Sequence, residues 1–171
     1  MRREMVIHPQ SKCQSVGAVA VEIVRPRAGL LTLRYVLTGA IAGLRLPAPA
    51  AAGRTDELWQ HTCCEAFLQA PGERGYVEYN FAPSTAWQCY RLDDIRSNRR
   101  PAEVAPPHLA VKAGADALEL TATVAWEDGG RLGLTAVIEE ANGAMSYWAL
   151  AHAPGKPDFH RPETWGVELG A

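Results

Sequence analysis

Residues 54–92, RTDELWQHTCCEAFLQAPGERGYVEYNFAPSTAWQCYRL, decide how this chain is read. They divide into three strand-length runs joined by two turns. Side chains of a strand alternate between its faces. Within 61–68 one set is His61, Cys63, Glu65 and Phe67, and the other is Thr62, Cys64, Ala66 and Leu68. The second set is small and largely apolar, so it is expected to face the core. Within 76–81, Val77, Tyr79 and Phe81 form the apolar set and leave Tyr76, Glu78 and Asn80 opposite. With the two runs paired, Glu65 and Glu78 share one face with His61 and Asn80. Arg54, Asp56, Trp59, Trp87 and Tyr90 add further polar and aromatic groups to the same stretch. The plain alternative is the wet face of an ordinary antiparallel sheet, but such a face more often carries Lys, Thr and Ser.

Outward from that stretch, 171 residues suffice for one domain with one substantial core. Seventeen basic and nineteen acidic residues leave a formal charge of −2. That balance argues against a nucleic-acid surface, which needs a basic patch, and supplies no attraction to a membrane. Arg96, Arg99 and Arg100 are the one basic cluster, and they read as a solvated turn. The first residues, MRREMVIHPQSKC, lack the apolar segment of a secretory signal, and no stretch approaches the ~20 apolar residues of a membrane-spanning helix. The expectation is a cytoplasmic protein. Cys13, Cys63, Cys64 and Cys89 show no CxxC spacing, which disfavours structural zinc and predicts free, mostly buried thiols.

Taken in order, 16–25 and 30–39 read as strands, with Leu31, Leu33, Tyr35 and Leu37 on the inner face. Residues 40–53 form an Ala-, Pro- and Gly-rich connection, and 93–108 form a long proline-rich loop. A hairpin is expected over 109–113 and 117–126, with Leu118, Leu120, Ala122 and Val124 inward. In RLGLTAVIEEANGAMSYWALAH, residues 131–152, Asn142 and Gly143 are the preferred pair for a two-residue turn. Counting outward from them pairs Glu139 with Ser146, Ile138 with Tyr147 and Val137 with Trp148. A short last strand falls within 165–169. About nine or ten short strands, with no long amphipathic helix and no repeat, imply an all-β sandwich.

The strings RTDELWQHTCCEAFL, YVEYNFAPSTAWQCYRLDDIR, LGLTAVIEEANGAMSYWALAH and KPDFH resemble the bacterial DOMON-like domain family, which is related to type 9 carbohydrate-binding modules. The resemblance covers residues 15–170. It implies a single-domain, jelly-roll-like antiparallel β-sandwich of two sheets with one concave ligand face. In the carbohydrate modules, tryptophan rings hold a sugar while Glu, Gln, Asn and Arg bind its hydroxyls. Trp59 and Trp87 stand at the aromatic positions, with Arg54, His61, Glu65, Glu78 and Asn80 as polar candidates. The alternative for each tryptophan is an end plug of the sandwich. The resemblance also implies a structural calcium ion, for which Asp93, Asp94 and Asp128 are the available carboxylates. A haem branch would need His or Met ligands, the candidates being Met145, His61 and His152.

Chemistry has three weaker entrances. Glu65 and Glu78 as cross-strand neighbours meet the ~5 Å separation of a retaining glycosidase. Cys63 or Cys64 beside His61 suggests a Cys–His pair, but no helix N-terminus or strained turn lowers the thiol's pKa. His152, Asp158 and His160 form a metal-capable set in a segment better explained by loop structure. The reading is therefore a non-catalytic domain that binds a small, sugar-like ligand, with no nucleic acid or membrane as partner. Its rival is a structural or protein-interaction domain, with haem binding and glycoside hydrolysis behind both.

Overall fold

The structure, a computed structural model, describes residues 1–170. Twelve strands follow in chain order: β1 (Arg2–Ile7), β2 (Val16–Val24), β3 (Leu30–Gly39), β4 (Cys63–Gln69), β5 (Tyr76–Phe81), β6 (Trp87–Leu92), β7 (Arg100–Pro101), β8 (His108–Ala113), β9 (Ala117–Ala125), β10 (Gly130–Glu139), β11 (Met145–Ala149) and β12 (Val167–Leu169). All pairings between them are antiparallel. They run unbroken in the order β7-β6-β5-β4-β10-β11-β1-β2-β3-β9-β8, with β12 beside β10. The all-β, antiparallel expectation stands, as one curled path of twelve strands. The two beyond the sequence count are β1, whose RREMVI buries only Met5, and β7, which is two residues long. Neither carries an alternating pattern.

Strand β1 joins the two halves of the path, because Arg2–Met5 pair with β2 while Val6 and Ile7 pair with β11. The halves close on one core. Leu31, Leu33, Tyr35 and Leu37 of β3 and Leu118, Leu120, Ala122 and Val124 of β9 meet Cys64, Ala66 and Leu68 of β4 and Val77, Tyr79 and Phe81 of β5. The alternation read from sequence is realised in all four strands. Burial of each large apolar side chain contributes about 1.5–3 kcal/mol. Tyr35 is fully buried, and its hydroxyl donates to the Glu65 carbonyl oxygen at 2.7 Å, tying β3 to β4 across the core.

One register differs from the expectation. Strands β10 and β11 pair Glu139 with Met145, Ile138 with Ser146, Val137 with Tyr147 and Ala136 with Trp148. The Glu140 amide donates to the Ala144 carbonyl, so the loop is Ala141–Asn142–Gly143, three residues rather than two. Gly143 takes the left-handed φ of +85° that ends such a loop, and Asn142 Oδ1 accepts the Ala144 amide. A one-residue slip exchanges the faces of a strand. Tyr147 consequently lies on the outer face with Val137, and Trp148 enters the core.

The outer face of β4, β5, β6 and β10 is itself covered over part of its area. Residues 157–165 fold back across it, and Trp165 packs with Phe67, Tyr76, Tyr90, Leu92 and Phe159 as a second apolar cluster. Gly133 of β10 makes the space. A Cβ built there would lie 2.3 Å from Trp165 Cδ1.

Candidate functional site

A cavity of about 440 Å³ remains on the outer face, bounded by the strands below, the folded-back segment, the turn before β4 and the arginine loop after β6. Its floor is Glu65 and Phe67 of β4, Glu78 of β5, and Val137 of β10. Trp59, Tyr147 and Phe159 supply aromatic walls, with His160, Arg96 and Arg99 at the same opening. Alternation explains the floor, since Glu65 and Glu78 are outward positions of adjacent strands and Phe67 pairs with Glu78. Trp59 sits in the short 3-10 turn Leu58–Gln60 and is 39 % exposed. Glu57, which leads into that turn, and Arg96, which borders the cavity, lie in the left-handed region at φ +61° and +52°. That conformation costs a non-glycine residue about 1–2 kcal/mol.

Both floor carboxyls are only 3 % exposed. Glu65 Oε2 accepts the Thr135 hydroxyl at 2.7 Å, and Glu78 Oε1 accepts Asn80 Nδ2 at 2.8 Å. Glu78 Oε2 is buried with no hydrogen-bond partner. Burial, followed by the charge of Glu78, pushes the Glu65 carboxyl up to about 8 against the hydrogen bond from Thr135. Burial also raises Glu78, opposed by Asn80 and by the charges of Arg99 and Arg96. His160 is driven down to about 4, first by burial and then by the Arg96 charge. The ring is therefore neutral near pH 7.

The sequence-predicted residues divide between this cavity and other duties. Glu65, Glu78 and Trp59 border it together, while Asn80 is fully buried and acts through its bond to Glu78. Trp87 lies elsewhere. It is 4 % exposed, on the core side of β6, with the Arg54 guanidinium 4.4 Å from its ring centroid. The parity of β6 requires this, because Trp87 pairs with Phe81, an inward residue. Arg54 is engaged by Gln88 Oε1 and the Ala102 carbonyl, both at 2.8 Å. Asp56 continues that network to Gln88 and Tyr90. His61 precedes β4 and turns away, its Nδ1 at 2.7 Å from Glu139 Oε2 beside a smaller pocket of about 230 Å³. Arg45 holds the other oxygen of Glu139 at 2.9 Å.

Burial raises the Cys63 thiol well above its ordinary value, so it is held protonated while His61 is committed to Glu139. Cys13, Cys63, Cys64 and Cys89 are all free, three of them buried. The haem candidates do not converge. Met145 borders the cavity, His61 the smaller pocket, and His152 Nε2 donates to the Val6 carbonyl at 2.9 Å. Among the described residues, no group of three or more His, Cys, Asp and Glu is arranged to hold a metal. Of the calcium candidates, Asp93 is taken by Arg100 and Asn98, and Asp94 by Arg74.

Sequence reasoning passed over Tyr147 because of the register, and assigned Arg96 and Arg99 to a solvated turn. In the folded chain Arg96 bonds Asp158 at 2.7 Å and both arginines border the cavity. Asp158 also accepts the His160 amide at 3.1 Å, the structural duty expected of that segment, while the His160 ring reaches the cavity. The string KPDFH was the available signal for Phe159 and His160.

No family model matches the chain, and no curated protein sequence does. Among solved structures, the fold matches a putative carbohydrate-binding protein from Bacteroides uniformis with a TM-score of 0.71, over 97% of this chain and 84% of that one, at 15% identity. At that identity the likeness is one of fold.

Proposed function

We propose that this chain is a non-catalytic binding domain whose cavity takes a carbohydrate or sugar derivative, on a DOMON-like, jelly-roll-related sandwich akin to type 9 carbohydrate-binding modules. The observation that carries this reading is Glu78 Oε2, a buried acceptor without a partner at the floor of an aromatic-walled cavity. An unsatisfied buried acceptor costs about 1–3 kcal/mol, more when charged, and a ligand donor removes that cost. Sugar hydroxyls are such donors, and the apolar C–H face of a sugar ring fits against aromatic rings. Trp59, Tyr147 and Phe159 take the stacking role, Glu65 and Glu78 receive hydroxyls, and Asn80 orients Glu78. The volume lies within the usual range for small-molecule sites. The likeness to a fold described as carbohydrate-binding supports the same ligand class. A purely structural polar face would be filled and satisfied, whereas this one is open with an orphaned oxygen.

A ligand that binds only the folded state raises the melting temperature by mass action. A thermal-shift screen of neutral and derivatised sugars is expected to give a rise with the wild-type chain. The isosteric Glu78→Gln and the exposed Trp59→Ala variants are each expected to weaken that ligand about tenfold or more. No shift with any sugar, or equal shifts in all three proteins, defeats the reading.

A further inference from the structure

We propose that the sugar held in this cavity is anionic, carrying a carboxylate or phosphate that Arg99 receives; the inference rests on the saccharide reading above. Three observations converge on it. Arg99 borders the cavity and makes no direct ion pair among the described residues, its charge reaching Asp56 only at longer range, while the neighbouring Arg96 and Arg100 are paired with Asp158 and Asp93. Its guanidinium is held 4.6 Å from the centroid of the Tyr90 ring, a cation–π contact that positions it without neutralising it. Deeper in the cavity, the unpartnered Glu78 Oε2 calls for a hydrogen-bond donor. A polyhydroxy anion meets both demands, with hydroxyls toward the glutamates and its charged group toward the arginine loop at the opening. A ligand cation would instead face two guanidinium groups, whose charges already bear on Glu78 and His160. Arginine's planar fork matches carboxylate and phosphate oxygens in paired hydrogen bonds.

The test is titration calorimetry of the full chain with glucose, glucuronate and a hexose phosphate, at low and high salt. At least one of the two anions is expected to bind about tenfold or more tighter than glucose, with the advantage shrinking in high salt. Arg99→Ala is expected to erase the difference, and Arg99→Lys to retain part of it. Because Arg99 is exposed, loss of fold is not expected, and the melting temperature of each variant verifies this. Running the two anions separately assigns the group to carboxylate, phosphate or both. Equal binding of glucose and both anions, or an anion advantage that survives Arg99→Ala, overturns the inference and leaves saccharide binding standing. No binding of any sugar overturns both.

Discussion

His160 Nε2 stands 3.7 Å from Glu78 Oε2, while its Nδ1 lies 2.6 Å from the Tyr76 hydroxyl. The Arg96 amide donates to that same hydroxyl at 3.4 Å, so Tyr76 ties His160 to the arginine loop. Nε2, the other ring nitrogen, faces the unpartnered Oε2 of Glu78. At 3.7 Å the pair is too long for a hydrogen bond, so Oε2 is left without a partner.

Burial of these groups makes stability depend on pH in opposite senses. Glu65 keeps its proton in the folded chain up to about 8 against an ordinary value of 4.5. Its contribution is thus fully present below 4.5 and is lost as pH rises through about 8. His160, at about 4 against 6.5, contributes above 6.5 and loses that contribution as pH falls through about 4. Above 6.5 His160 is mostly neutral in the unfolded chain as well as in the folded one, and comparison with Glu65→Gln over 6.5 to 8 subtracts the other titrating groups. Denaturant titrations across that interval are expected to show wild-type stability falling by about 1 kcal/mol per pH unit more than that of Glu65→Gln. Parallel slopes would place the proton elsewhere.

The three-residue turn makes a separate prediction about β11. Trp148 is buried in the core with its Nε1 donating to Ser146 Oγ at 3.0 Å, whereas Tyr147 is half-buried at the cavity. Trp148→Ala is expected to cost about 3–5 kcal/mol in chemical denaturation. Tyr147→Ala is expected to cost under about 1.5 kcal/mol while weakening sugar binding. The reverse ranking would mean that the two-residue register is the real one.

Gly133, paired with Phe67 of the cavity floor, bears on the site through Trp165. Trp165, which occupies the space over it, stacks on Phe67 at 5.5 Å between ring centroids and donates from Nε1 to the Phe159 carbonyl at 2.9 Å. A methyl group at Gly133 meets the indole ring, so that ring must move. Gly133→Ala is expected to destabilise by about 1–3 kcal/mol and also to reduce ligand affinity, by releasing the Phe159–His160 wall. A variant with lowered melting temperature but wild-type affinity would show that the wall stands without Trp165.

Much of the sheet was legible because strand parity is a local rule. The inward sets of β3, β4, β5 and β9 follow from alternation alone, and so does the joint placement of Glu65 and Glu78. Trp87 was legible too, since its parity with Phe81 assigns it to the core, but its type drew attention to the ligand face. His61 was misplaced because it precedes the first paired residue of β4, where alternation no longer holds.

Sequence by itself determined an all-β chain, the core face of its central strands, and a carboxyl pair on one outer face. Periodicity and turn residues act over a few positions, so those features are written locally. Tertiary structure alone decided that residues 157–160 and the loop bearing Arg96 and Arg99 meet above that face and enclose a cavity. It also decided the one-residue register that selects Tyr147 over Trp148. The first depends on groups far apart in the chain, among them a Trp165 ring that needs the missing side chain of Gly133, and the second on a backbone bond from Glu140 to Ala144 that turn residue types alone do not specify.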